Sequence, residues 1–143
     1  MINSGLFTSA KQSYATPRDL YDALNAEFAF DDDPCPIGEP APLYQNDGLA
    51  REWGNRVFIN PPYGKEIPKW IERAYREAQQ GKLIVLLIPS RTDTRWWHDY
   101  IMKATEIRFI KGRLRFGDST NSAPFPSVIV IFKSILAGEI KCE

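Results

Sequence analysis

The sequence predicts a single α/β domain centred on a doubly wound, mostly parallel sheet. Three observations carry that expectation. Val57-Phe58-Ile59 is a short apolar run that ends at Asn60-Pro61-Pro62-Tyr63. From Ile67 onward the apolar residues fall at helical spacing: Ile67, Trp70, Ile71, Ala74 and Ala78 share one face, and Gly81 stops the helix. Leu83 to Ile88 is then unbroken apolar sequence closed by Pro89. A strand buried on both faces reads as such a run, and strand, helix, buried strand is a βαβ unit with parallel pairing. A chain of 143 residues has room for one domain with a core and not for two.

The elements follow in order. Residues 1–15 are expected to be a loosely ordered N-terminal segment, and 16–143 the domain. Thr16 suits a helix cap, Pro17 the first helical position and Asp19 the first turn, after which Leu20, Leu24 and Phe28 recur at helical spacing. Phe28 to Asp33 is a short strand candidate ending in three acids. Pro34, Pro36, Gly38, Pro40 and Pro42 make the stretch to Asp47 a long functional loop. Asp47-Gly48-Leu49 leads to a short helical turn and a bend at Trp53-Gly54. After Pro89 a third helix is expected to start near Thr92–Thr94, with Trp97, Tyr100, Ile101 and Ala104 facing the core. Ile107 to Ile110 and Val128 to Phe132 are further strands. Ligands of doubly wound sheets bind at the carboxyl ends of the strands where strand order reverses, and Asn60 and Pro89 both lie at that edge.

Composition removes several function classes. Lys plus Arg and Asp plus Glu both number 18, so bulk charge announces no nucleic-acid partner, and such binding has to come from local patches. No apolar stretch approaches the ~18 residues that span a bilayer. Met1 to Gly5 lacks the features of a signal peptide, so a cytoplasmic protein is expected. Cys35 and Cys142 have no metal-ligand spacing, and His98 is the sole histidine, which excludes a histidine-rich metal site. His98 is expected at the surface without a partner.

The chemistry concentrates at Asn60-Pro61-Pro62-Tyr63. An amine conjugated to a ring is a poor nucleophile because its lone pair is spread into the ring. Two acceptors, the Asn60 side-chain oxygen and the Pro61 carbonyl, can hold both N–H hydrogens and push the nitrogen toward sp3 character. Proline fixes φ and offers a carbonyl without a competing N–H. Tyr63 can stack on a base, worth roughly 1–3 kcal/mol. The motif therefore suits a planar amide or exocyclic amine that is to be alkylated. The plainer account is a Pro-Pro turn that ends a strand.

The order Thr16-Pro17, Asp33, Asp47-Gly48-Leu49, Asn60-Pro61-Pro62-Tyr63, Pro89-Ser90-Arg91-Thr92-Asp93-Thr94, Gly112-Arg113 and Phe116 resembles the small phage and prophage DNA N6-adenine methyltransferases, the phage Dam-like family, over residues 14–132. The tetrapeptide is shared by amino-methylating enzymes generally, and the surrounding order points to the DNA-adenine branch. The resemblance implies a trimmed Rossmann-like methyltransferase fold and an adenine-specific, site-specific DNA-methyltransferase. It implies S-adenosylmethionine as cofactor, DNA as partner, base flipping, no metal, and a bacterial or phage-infected cell. It marks Asn60, Pro61, Pro62 and Tyr63 as the catalytic motif, with Asn60 also beside the cofactor. Asp33, with Pro34 and Cys35, becomes the acidic end of the cofactor motif. Thr16 and Pro17 meet the cofactor's methionine portion, and Asp47 receives the N6 hydrogens of its adenine. The family's Phe-x-Gly-x-Gly turn is replaced by Asp33-Pro34-Cys35-Pro36-Ile37-Gly38, with a single glycine.

Several residues keep two accounts. Asp33 and Asp47 also read as turn residues, and Thr16-Pro17 as a helix cap alone. Trp70 and Trp97 read as core packing, whereas Trp96 falls off the apolar face of its helix, near the site. Arg91, Thr92 and Arg95 follow the strand edge and are candidates for touching substrate. Arg108, Lys111, Arg113 and Arg115 form either a solvated strand face or a phosphate-binding cluster. A homodimer fits so small a DNA footprint. Two other functions stay open: methylation of RNA adenine or protein glutamine, and a nucleotide-binding module without turnover.

Overall fold

The computed structural model describes residues 15–36, 48–117 and 121–134. Along the chain lie α1 (Arg18–Phe28), β1 (Arg56–Ile59), α2 (Ile67–Ala78), β2 (Leu83–Pro89), α3 (Arg95–Asp99), β3 (Glu106–Phe109) and β4 (Ser127–Lys133), with 3-10 turns at Gly48–Ala50 and Ile101–Lys103. The strands make one sheet of order β1-β2-β4-β3. The βαβ unit forms: β1 and β2 pair in parallel, with Val57 opposite Ile84 and Ile59 opposite Leu86. The strand expected over 28–33 is reduced to a parallel bridge between Asp32 and Val57, held by Asp31 N–H to Arg56 O and Phe58 N–H to Asp32 O. The expected loosely ordered segment, apart from Ala15, and most of the long loop with Asp47 lie outside the described residues.

A mostly parallel sheet does not form. β4 runs antiparallel to both β2 and β3, so two of the three strand pairings are antiparallel. The physical reason lies in the connections. A parallel neighbour needs a crossover of a dozen or more residues, usually helical. The described residues between β3 and β4 contain no helix, and the chain comes back along the strand it has just left. The apolar run of β2 signals burial on both faces, and it is buried throughout, but burial carries no direction.

Both faces of the sheet are covered. On one, Ile67, Trp70, Ile71 and Ala74 of α2, with Trp97 and Ile101, meet Val57, Ile59, Ile84, Leu86, Val128 and Val130. On the other, Leu24 of α1, with Phe116 and Ala123, meets Phe58, Val85, Leu87, Ile129 and Ile131. The helical face predicted for α2 is buried in full. A partly buried ion-pair cluster ties its last turn to the start of β2: Glu77 takes Arg73 at 2.7 Å and Lys82 at 2.5 Å.

Two local expectations are corrected. Pro17 is the N-cap of α1 rather than its first helical residue, with ψ at 136°, and Thr16 makes no cap bond. A residue before proline is pushed toward extended backbone, which carries the Thr16 hydroxyl away from the helix N–H groups. The helix ends at Ala29, which lies in the left-handed region at φ 53° and returns its N–H to Asn25 O at 2.8 Å. Thr94 does cap α3, accepting the Trp97 N–H at 3.2 Å. At the start of the 3-10 turn, Gly48 is fixed by close approach. A Cβ there would sit 2.2 Å from the Pro34 carbonyl oxygen and 2.8 Å from the Trp70 ring. Trp53, without an assignment from sequence, stacks on Trp70, donates to the Gly48 carbonyl at 2.7 Å and carries the Arg73 guanidinium on its ring.

Candidate active site

Asn60 follows the last residue of β1 and is 2% exposed. An amide removed from water needs partners. Its Nδ2 donates to Thr16 Oγ1 at 3.0 Å. The Thr16 position is itself pinned, because Ala15 O accepts the Gly117 N–H at 2.9 Å. Thus the residue that fails as a helix cap serves the strand end instead.

Beside this bond lies a cleft of about 380 Å³ lined by Ala15, Thr16, Arg18, Tyr21, Asp33, Cys35 and Phe58, among others. The three consecutive acids reach it unequally. Asp31 turns outward and accepts the N–H groups of Asn55 and Arg56. Asp32 forks with Arg51 at 2.9 and 3.0 Å and accepts the Gly54 N–H. Burial alone would raise the Asp32 pKa, but Arg51 and Gly54 outweigh it and hold the carboxyl below its ordinary value. Only Asp33 lines the cleft, where it accepts the Cys35 N–H at 3.3 Å. Desolvation pushes Asp33 up to about 6, and the neighbouring Asp32 charge adds to it. Burial, then Asp33, pushes the Cys35 thiol up to about 12, which leaves it protonated and inert at neutral pH.

On the other side of the strand end, Tyr63 sets its ring edge-on to Phe116 and Phe125 and donates its hydroxyl to Leu87 O at 3.3 Å. It lines a cavity of about 100 Å³ with Gly64, Ile67, Pro89, Arg91, Trp96 and Phe125, among others. Pro61 is buried and Pro62 half-buried.

The family model for DNA N-6-adenine-methyltransferase (Dam) matches residues 3–141. The chain belongs to the Dam family. The DNA N-6-adenine-methyltransferase of Haemophilus phage HP1 (strain HP1c1) is 24% identical over 147 residues, which cover 93% of this chain and 85% of that relative. No solved structure gives a significant match.

Of the residues expected from the Dam-like resemblance, Thr16, Asp33 and Cys35 meet at the cleft, and Asn60 joins them through Thr16. Pro17 and Pro34 support the cleft from the chain and do not line it. Tyr63 and Arg91 share the smaller cavity. Thr92 is exposed, and its carbonyl accepts from His98 Nε2 at 2.8 Å, so the histidine has the partner its sequence context did not announce. Arg95 lines a neighbouring groove. Arg113 and Arg115 are exposed beyond β3, and Arg113 reaches the Ala123 carbonyl at 3.4 Å. Arg108 leaves the basic cluster: it forks onto Glu27 at 2.7 Å and also binds Glu106. Asp47 lies outside the described residues. Sequence reasoning missed Arg18, Tyr21 and Phe58 as lining residues. Arg18 and Tyr21 stand three apart on α1, so their common face was a usable signal beside the apolar series.

Proposed function

We propose that this protein transfers a methyl group from S-adenosylmethionine to N6 of adenine in DNA, as a site-specific enzyme on a trimmed Rossmann-like frame. The observation that supports this most is the buried Asn60 amide at the end of β1, bonded to Thr16 of the cleft and three residues before Tyr63 of the smaller cavity.

The residues of the cleft suit the cofactor. Its volume of about 380 Å³ falls in the range of ligand pockets, ~300–1,000 Å³. Asp33, with the Cys35 N–H as its hydrogen-bond donor among the described residues, offers a carboxyl to a cationic ligand, and Arg18 offers a guanidinium to a carboxylate. Thr16, Pro17, Pro34, Cys35 and Asp47 complete the proposed cradle. When bound, S-adenosylmethionine supplies an electrophilic methyl carbon on its sulfonium.

The chain's own residues prepare the amine. Asn60 Oδ1 and the Pro61 carbonyl accept the two N–H hydrogens and stabilise the positive charge that grows on N6 during alkylation. The proton leaves after the transfer. Pro62 holds the turn, and Tyr63 offers a ring face. A cavity of about 150 Å³ holds benzene, so about 100 Å³ is too small for a purine. Adenine therefore has to part Tyr63 from Phe125 as it swings out of the duplex, a step that costs a few kcal/mol. Arg91, Thr92, Arg95, Arg113 and Arg115 would meet the DNA backbone.

Tritium transfer from labelled donor to unmethylated DNA, RNA and protein, run in parallel, tests the acceptor. The expected product is N6-methyladenine in DNA alone. Asn60→Ala should still fold and bind cofactor, with a lower melting temperature from the lost bond to Thr16, but lose about 100-fold or more in turnover. Wild-type turnover by that variant would remove the mechanism.

A further inference from the structure

Trp96 is the one aromatic residue of α3 that faces two hollows. It lines the Tyr63 cavity and also a groove of about 270 Å³ between α2 and α3. Tyr100 and Pro68 form the rest of the apolar lining of that groove, with Lys69 and Arg95 at its rim. Trp96 is half-buried and packed against the core, its ring centroid 6.2 Å from that of Trp97. Of the groove's acids, Glu72 is engaged by Arg76 at 2.7 Å, and Asp99 lies exposed. Arg95 makes no ion pair among the described residues, and Lys69 makes only a 3.8 Å contact with Glu66. The groove exceeds the ~150 Å³ that takes one ring. A flat apolar wall with Arg95 free of ion pairs among the described residues and Lys69 held only by a long, exposed pair beside it is the arrangement that binds single-stranded nucleic acid, by stacking and phosphate contact.

We infer that the α2/α3 groove is a second base-binding subsite, in which Trp96 stacks on the nucleotide next to the flipped adenine while Arg95 and Lys69 meet its phosphates. This rests on the reading that DNA is the substrate. Because one side chain separates the two cavities, their occupants are neighbours, as consecutive nucleotides are.

The test compares two fluorescein-labelled eight-nucleotide strands, one of thymidine and one abasic, with the same phosphates. Trp96→Leu keeps an apolar side chain against the core and removes the ring. It should weaken binding of the thymidine strand by about 5- to 100-fold, the factor expected for loss of one stacked base, and that of the abasic strand by less than about 2-fold. Trp96→Phe should retain most of the affinity. Equal weakening of both strands, or of neither, overturns the subsite. Photo-crosslinking of wild-type protein to a 5-iododeoxyuridine strand needs no variant: label on the peptide containing Trp96 supports it, and label only elsewhere overturns it. Methyl transfer is scored separately. Transfer to DNA without a Trp96-dependent base preference sinks the subsite alone; the preference without transfer sinks the proposed reaction alone.

Discussion

Three identical side chains at 31–33 have three different tasks, and only the fold separates them. Asp31 and Asp32 are consumed by the backbone and Arg51 of the 51–56 segment, while Asp33 is half-buried and, among the described residues, accepts the Cys35 N–H alone. Nothing in a run of acids distinguishes its members, because the distinguishing partners lie some twenty residues away. The resemblance named Asp33 where residue chemistry alone could not. The raised pKa has a sign. Asp33 holds its proton more tightly folded than unfolded, so its contribution to stability falls as pH rises from 3.8 to about 6 and is level above that. Asp33→Asn should therefore gain on the order of 2 kcal/mol over wild type between pH 4 and pH 7 in paired urea titrations. S-adenosylmethionine affinity of the wild type should rise through pH 6 as the carboxylate forms, and that of Asp33→Asn should stay flat, as calorimetry at pH 5 and 7.5 would show.

At the level of elements, periodic signals translated well and junctions did not. The α2 face and the buried β2 run were legible because both are set by local spacing. The first strand shrank to a bridge because its length depends on how much of β1 it can pair. The end of α1 was blurred because the chain lacks the glycine that usually marks it. Ala29 takes the left-handed conformation in its place. For a residue with a Cβ that conformation costs roughly 1–2 kcal/mol. Ala29→Gly should raise unfolding free energy by about 0.5–1 kcal/mol, the part of that strain not returned as glycine's extra chain entropy. A lower midpoint in thermal or urea unfolding would contradict this account of the helix end.

For the whole molecule, a net charge of zero hides a sorting of charges. Arg51, Arg73, Arg76, Lys82 and Arg108 are neutralised in ion pairs. Arg91, Arg95, Arg113 and Arg115 have no ion pair among the described residues and lie just past β2 and β3, at the same end of the sheet as Asn60. Composition could not reveal this, since pairing is a tertiary property. DNA binding should weaken steeply with salt, and Arg91→Ala with Arg113→Ala should reduce the log–log slope by about 2. Arg108→Ala should leave the slope unchanged, and a fall there equal to the double variant's would refute the sorting. The contact between Pro34 and Gly48 has a different consequence. Pro34 sits between Asp33 and Cys35, which line the cleft, and the Trp70 ring on the other side of Gly48 stacks on Trp53. Any side chain at 48 would drive a wedge between the cleft wall and the tryptophan pair, so a single hydrogen atom couples the hollow to the core.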